Sequence, residues 1–433
     1  ESESMTGLPM KQKSKVMNKK GSYAILASIL FSSMMILAAA AVHAAGESAI
    51  SATAQNFGPL WGRSILAEYD RNLKDRYGIF AYSGNKLQVE EKLKNYMLYS
   101  CRDKKYISFE SCECNLEEYE LVRPENFFEQ IKDAVAYDAK PMPIKYSAGK
   151  NTEGGGSNEA FSKRYIKNQR IIKTLPSRGK SGGVGVSALV EKIKESKSIG
   201  DLLNDSAENI YIFRFFKDCM NDRNLGETYF KNEIEYILTG RLDDSDAKHK
   251  VKNQLILLRN ALNLTYLYSC SEKRNAALAA AELIMPEAPL LTQALIMEGW
   301  AFMEARNDLK LLYAGKTVPL IKKDENWAVS LENLLSAEYG CDTDGKPVSG
   351  SESDGEPSDY VVPRKLEGKT YEDYLKIFVA SLPRETKKIR MLDLMQINMK
   401  YLYCEYFLIS DYFIGLRYSV NINGKIHEFN EKY

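Results

Sequence analysis

The chain has 433 residues, 44% of them hydrophobic and 27% charged, with 59 Lys and Arg against 58 Asp and Glu for a net charge of +1. These values exclude a disordered chain, which would be poor in apolar residues, and a polytopic membrane protein, which would need many long apolar runs. They also argue against a protein built mainly to hold nucleic acid, and three histidines (His43, His249, His427) nearly exclude a histidine-rich metal centre.

A basic tail comes first, over residues 1–21, where Lys11, Lys13, Lys15, Lys19 and Lys20 outnumber Glu1 and Glu3. Residues 22–45 then form an uncharged run of 24 residues, from Ser22 to Ala45. As a helix it would extend ~36 Å, enough to cross a hydrocarbon core of ~30 Å with some tilt. The lysines before it and Glu47 after it place the tail in the cytoplasm and the C-terminal bulk outside, as a single-pass protein of the cell membrane. The alternative is a cleaved secretory signal, with Val42 and Ala44 as the small residues of the cleavage site, but its apolar region would be shorter, ~7–15 residues.

Residues 46–80 read as an amphipathic stalk, because Trp61, Ile65, Tyr69 and Leu73 recur every fourth position. Gly58-Pro59 is expected to kink or restart that helix, and Gly78 to end it. A small α/β segment follows over 81–146, with helices at Leu87 to Tyr99 and Glu125 to Tyr137 and a strand at Tyr106 to Phe109. Residues 147–187, rich in Gly, Ser and Lys, read as flexible linker. Within them Gly179-Lys180-Ser181 echoes the end of a phosphate-binding loop, but Thr174 stands where the first glycine is required.

Residues 188–433 read as a helical exported domain. One helix carries Val251, Leu255, Leu258, Leu262 and Tyr266, with Ser245 as N-cap. An alanine-rich helix covers Ala276 to Ile284, and Pro286 and Pro289 separate it from the next. That next helix carries Leu291, Leu295, Phe302, Ala305, Leu309 and Leu312 and ends at Gly315; core packing is the expected use of its stripe. Residues 341–359 form an acidic loop, and helices follow at Tyr371 to Ser381 and Glu385 to Tyr403. A β-hairpin closes the chain over 412–429, since alternating runs meet at Asn423-Gly424, with Val420 facing His427 and Tyr418 facing Phe429. The fold class is therefore mainly α with a minor β component (α+β).

No catalytic motif stands out. Three scattered histidines cannot supply a Ser/His/Asp set, and pairs such as Glu117-Glu118 or Glu298/Glu304 carry no information in a chain with 58 acids. Asp342-Thr343-Asp344-Gly345 with Glu352, Asp354 and Glu356 lacks the ligand order of a calcium loop. Among seven cysteines, Cys101 with Cys112 or Cys114 is the expected disulfide outside the cytoplasm, while Cys219, Cys270, Cys341 and Cys404 read as buried thiols. The expectation is no catalytic residue, no cofactor and no metal.

Lys20-Gly21-Ser22 before a small-residue-rich apolar helix resembles the TadE/TadG-like proteins of tight-adherence (Tad, or Flp) pilus loci. Leu66-Ala67-Glu68-Tyr69-Asp70-Arg71-Asn72-Leu73 and Arg76-Tyr77-Gly78-Ile79-Phe80 resemble, in particular, the post-anchor stretch of a large clostridial-type family of uncharacterised function. So do Phe230 to Leu238, Leu258 to Asn263, Trp300 to Ala305, Ala314 to Lys322, Tyr371 to Leu375 and Arg390 to Gln396. The resemblance implies a membrane-anchored, outward-facing, non-enzymatic component of a pilus assembly or adhesion system. Its partners would be the bilayer, through Ser22 to Ala45, and other Tad components, through the helix Trp61 to Tyr77. If Gly21 marked a prepilin-type cut, the fifth mature residue would be Leu26 where pilins carry glutamate, which favours a TadG-like protein that stays in the membrane. The rival readings are a surface adhesin or sensor without a pilus role, and an anchored extracytoplasmic hydrolase.

Overall fold

A computed structural model of the chain describes residues 19–142, 161–195, 206–335 and 360–433. In chain order, helix α1 spans Lys19–Leu66 and α2 Arg71–Tyr77; strand β1 (Tyr82–Ser83), α3 (Lys86–Cys101), β2 (Phe109–Asn115) and α4 (Pro124–Ala136) follow. Next come α5 (Gln169–Ile172), α6 (Val186–Glu195), α7 (Ala207–Phe215), α8 (Glu233–Thr239), α9 (Asp244–Ser269), α10 (Ser271–Ile284) and α11 (Pro289–Tyr313). The chain ends with α12 (Leu331–Leu335), α13 (Tyr371–Ser381), α14 (Arg384–Leu402), β3 (Tyr412–Phe413), β4 (Gly415–Ile422) and β5 (Lys425–Lys432). The fold is mainly α with a minor β component. It divides into two compact units, one of residues 1–64, 89–114 and 417–431, the other of residues 65–88, 115–416 and 432–433.

In the first unit the 48 residues of α1 run unbroken through Pro59, so the expected restart at Gly58-Pro59 does not occur. The reason is packing. A Cβ on Gly58 would lie 2.1 Å from the ring of Phe429, and one on Gly62 would lie 2.7 Å from Glu431. Two glycines four apart thus open one face of the helix to the β4–β5 hairpin, and the Tyr418 hydroxyl donates to the Gly58 carbonyl. Trp61 is buried on α1, donates to Ser100 Oγ at 3.1 Å and meets Phe109 edge-on at 5.9 Å. The strand order is β2-β4-β5, and β2 at Phe109–Asn115 begins where the expected strand ends.

Asn423 and Gly424 both have positive φ, 50° and 76°, the pair that a two-residue hairpin with native twist requires. Asn423 also bonds Ser108 and Tyr106, which ties the turn to the chain before β2. Tyr418 and Phe429 stack at 5.3 Å across the ladder, as the register from the sequence implies. Cys101, Cys112 and Cys114 are free thiols, so the expected disulfide is absent. Cys101 closes α3, whereas Cys112 and Cys114 lie on β2, and each keeps its own thiol.

The second unit begins with a break rather than a stalk. The expected helix over 46–80 ends at Leu66, and Asp70 starts α2 by accepting from the N–H groups of Asn72 (2.9 Å) and Leu73 (3.1 Å). Gly78 closes it at φ 66°, as expected. Leu73 and Tyr77 enter the core of this unit, and Ile65 and Leu66 are buried as well. The apolar face expected to bind a partner is therefore covered by the chain itself. The short β1–β3 ladder pairs Tyr82 with Phe413 and Ser83 with Tyr412.

Residues 161–187 are not free linker: Ile166, Ile172 and Leu175 enter the main core, followed by Leu189, Val190 and Ile193 of α6. Three apolar anchors at short-turn spacing are enough to dock a Gly- and Lys-rich stretch whose composition reads as mobile. Residues 147–160 and the acidic loop 341–359 lie outside the described residues. The core is built around α8 and α14, with α9 and α11 packed on each other. Trp300, Trp327, Leu267 and Met297 form a second cluster where α9, α10 and α11 meet. The N-cap of α9 is Asp243 rather than Ser245, whose N–H it binds at 3.0 Å.

One expectation fails in an informative way. Of the stripe on α11, Ala305, Leu309 and Leu312 are buried as expected, whereas Leu291, Leu295 and Phe302 are exposed; earlier in the helix the packed face carries Ile296, Met297, Trp300 and Ala301. The first half of this helix is apolar on more than one face, so periodicity selects the buried one only from Ala305 onward.

Candidate functional site

The second unit encloses an unusual number of charged groups. Arg259 of α9 is completely buried. It binds Asp308 through Nε at 3.0 Å, Asn263 at 2.9 Å, the carbonyls of Pro319 (2.8 Å) and Leu320 (2.9 Å), and the Tyr374 hydroxyl at 3.0 Å. Lys322 reaches Asp308 at 2.6 Å and pairs with Glu304, whose carboxylate also takes the N–H groups of Ala328 (3.0 Å) and Val329 (2.8 Å). Two cations face two carboxylates, so the set is neutral. Burial alone would push the Asp308 carboxyl up, but Lys322 and Arg259 hold it below the usual carboxylate range.

Three further acids are enclosed. Asp393 of α14 accepts the Ser177 N–H at 3.0 Å and the Tyr236 hydroxyl at 2.6 Å, and burial pushes its carboxyl up to about 6. Glu233 takes the Lys217 N–H at 3.1 Å and the Asn398 amide at 2.7 Å, while Glu235 takes the Cys219 N–H at 3.1 Å and the Tyr371 hydroxyl at 2.8 Å. Burial raises both carboxyls and also drives the Cys219 thiol up, the reverse of what a nucleophilic thiol needs.

Raised acids are candidates for general acid–base work when a cleft reaches them. Here each is held by donors that tie helices together, and none lines either of two prominent cavities. One of those, about 550 Å³, is walled largely by Phe80, Ala134, Tyr137, Met142 and Tyr433, with Lys74, Asp75 and Asp133 at its edge. The other, about 370 Å³, is lined by residues 181–185 with Arg241, Lys250 and Gln254. The chemistry these groups are arranged for is cohesion of the domain.

The residues singled out in the sequence are scattered. His43 lies on α1 beside Glu47 at 3.7 Å, His249 is exposed on α9, and His427 sits on β5. Glu117 and Glu118 lie on a single short turn. Glu298 is exposed and accepts from Asn260 at 2.7 Å, whereas Glu304 is part of the buried set, so the two do not form a pair. Asp342 to Glu356 lie outside the described residues. Among the described residues no cluster of His, Cys, Asp and Glu could hold a metal ion. Of Gly179-Lys180-Ser181, Ser181 lines the second cavity.

The described chain is thus a mainly α protein with one helix, within Tyr23–Leu66, long and apolar enough to cross a membrane, joined to a helical domain closed around buried charge. Residues 155–424 match the model of a family described as "Family of unknown function (DUF5702)", and the chain belongs to that family. No curated protein and no solved structure matches the chain.

Proposed function

We propose that this protein is a single-span, membrane-anchored and outward-facing component of a Tad/Flp-type pilus assembly or adhesion system, acting through protein contacts rather than catalysis. The observation that carries the reading is α1. From Tyr23 to Ala49 its side chains are exposed on every face, and burial begins only at Ile50. An apolar helix with no covered face needs an apolar surrounding along its whole circumference, which a bilayer supplies. The lysines before it support a cytoplasmic N-terminus. The pilus assignment rests on the resemblance of the anchor and post-anchor segments to TadE/TadG-like proteins.

A contact surface is available on the second unit. Leu283 (87% exposed), Ile284, Met285, Leu290, Leu291 and Leu295 gather at the α10–α11 connection. Contiguous exposed apolar residues of this kind mark interaction sites. Glu282 and Glu287 are exposed among them, which disfavours an anionic lipid surface and favours a protein partner whose apolar socket is rimmed with Lys or Arg.

The test combines topology and phenotype. Alkaline extraction should leave the protein in the membrane pellet, and protease shaving of intact cells should remove the domain while sparing the tail. Deletion of its gene should abolish or impair piliation and surface adhesion. Extraction into the soluble fraction would refute the anchor; unchanged piliation with a correct topology would refute the pilus role alone.

A further inference from the structure

The 370 Å³ cavity has the composition of an anion site. Residues 161–195 hold nine Lys and Arg against two Glu, in a chain whose total is +1. The loop 181–185 lies within this basic stretch and leads into the ten-residue helix α6. The loop is fixed at both ends: the Gly182 N–H donates to the Thr239 carbonyl at 2.9 Å, and Gln254 Nε2 donates to the Val184 carbonyl at 3.1 Å. It passes so close to its neighbours that a Cβ on Gly183 would lie 2.7 Å from Gln254 Nε2, and one on Gly240 2.8 Å from the Lys180 carbonyl.

Held this way, the loop presents donors. The N–H groups of Gly183, Val184 and Gly185, and of Val186, Ser187 and Ala188 at the start of α6, have no acceptor among the described residues, and the helix dipole adds positive potential there. Arg241 and Lys250 line the same cavity, and neither forms an ion pair with a carboxylate among the described residues. Beneath them, Gln254 is 5% exposed and its Oε1 has no hydrogen-bond partner, and the buried Arg390 guanidinium, close to Gly182, has its Nε unpartnered. An enclosed acceptor at the cavity wall, below free donors and two unpaired cations, fits a ligand that brings both negative charge and a hydroxyl.

We infer that the loop 181–185, Arg241 and Lys250 form a binding site for a phosphate group carried on a hydroxyl-bearing molecule of the glycerol phosphate type. The phosphate would take the loop N–H groups and the two cations, and a carrier hydroxyl would supply the donor that Gln254 lacks. This reading does not depend on a pilus role.

The test is titration of the full chain in neutral detergent, followed by calorimetry, with glycerol 3-phosphate, inorganic phosphate, glycerol, and the short-chain lipids dihexanoyl phosphatidylglycerol and dihexanoyl phosphatidylcholine. Saturable binding of glycerol 3-phosphate or of phosphatidylglycerol is expected, tighter than that of inorganic phosphate, with none of glycerol. Whichever of the two binds more tightly identifies the free or the lipid-borne source. The R241Q/K250Q variant, altered only at exposed positions, should bind about ten-fold more weakly or worse, with an unchanged melting temperature. A Q254L variant should lose the preference for glycerol phosphate over inorganic phosphate. Absence of saturable phosphate binding, binding that survives R241Q/K250Q unchanged, or equal affinity for inorganic phosphate and glycerol 3-phosphate would overturn the inference.

Discussion

Replacing Asp393 by Asn should make the protein more stable at neutral pH and no more stable in acid. The Asp393 carboxyl is enclosed at the centre of the second unit, where burial raises it from 3.8 to about 6 against the opposing pull of Ser177, Tyr236 and Arg390. A rise of ~2 units corresponds to about 3 kcal/mol at ~1.36 kcal/mol per unit. The sign follows from proton uptake: between pH 4 and 6 the folded chain holds a proton on Asp393 that the unfolded chain has released. Its contribution is therefore most favourable below about pH 4 and is lost as pH rises through about 6. The amide keeps the geometry, since Oδ1 can still accept the Ser177 N–H and the Tyr236 hydroxyl can turn from donating to accepting. Urea unfolding of both proteins in detergent, from pH 4 to 7.5, should give a difference in stability that grows by about 3 kcal/mol across the range. Glu233 and Glu235, also raised by burial, are common to both proteins and cancel. Parallel stability curves would refute the reasoning.

Three other perturbations test different parts of the fold. Lys322→Met leaves Glu304 and Asp308 facing each other without their shared cation, and should cost about 3–5 kcal/mol in urea unfolding. Gly58→Ala drives a methyl into the Phe429 ring and should cost about 1–3 kcal/mol, with Gly58→Ala/Phe429→Ala recovering part of the loss in a thermal double-mutant cycle. Leu291→Glu with Leu295→Glu, both on exposed positions, should change stability by only about 0.5 kcal/mol. The same pair should reduce site-specific crosslinking of α11 to its partner in membranes.

How far the sequence discloses this structure depends on whether apolar spacing was the deciding force. It was for α9, α13 and α14, whose bounds lie close to those read from periodicity, and for the hairpin, where Asn423-Gly424 dictates both turn and register. It was not for residues 161–187. Composition there averages many solvated lysines and glycines with a few apolar residues, and Ile166, Ile172 and Leu175 decide the outcome without dominating the count. Nor was it for Pro59, where the missing N–H argues for a break but the Gly58 and Gly62 face gains a hairpin packed against it. Propensity states what a segment does alone, and α1 is not alone at that point.

The buried charges show the same limit from the other side. A single carboxylate among 58 acids looks solvated by default, so Glu304 carried no signal when set beside Glu298. A signal was present in the spacing. Arg259 and Asn263 are four apart on a stripe otherwise made of Leu255, Leu258 and Leu262, and Glu304 and Asp308 are four apart on a face shared with Ala301 and Ala305. Two polar pairs at one-turn spacing on the apolar faces of two helices predict each other, because neither can be buried without an opposite charge to meet it. The same rule separates these groups from Arg241 and Lys250, which stand off the apolar stripe, meet no carboxylate among the described residues, and so remain available to a ligand.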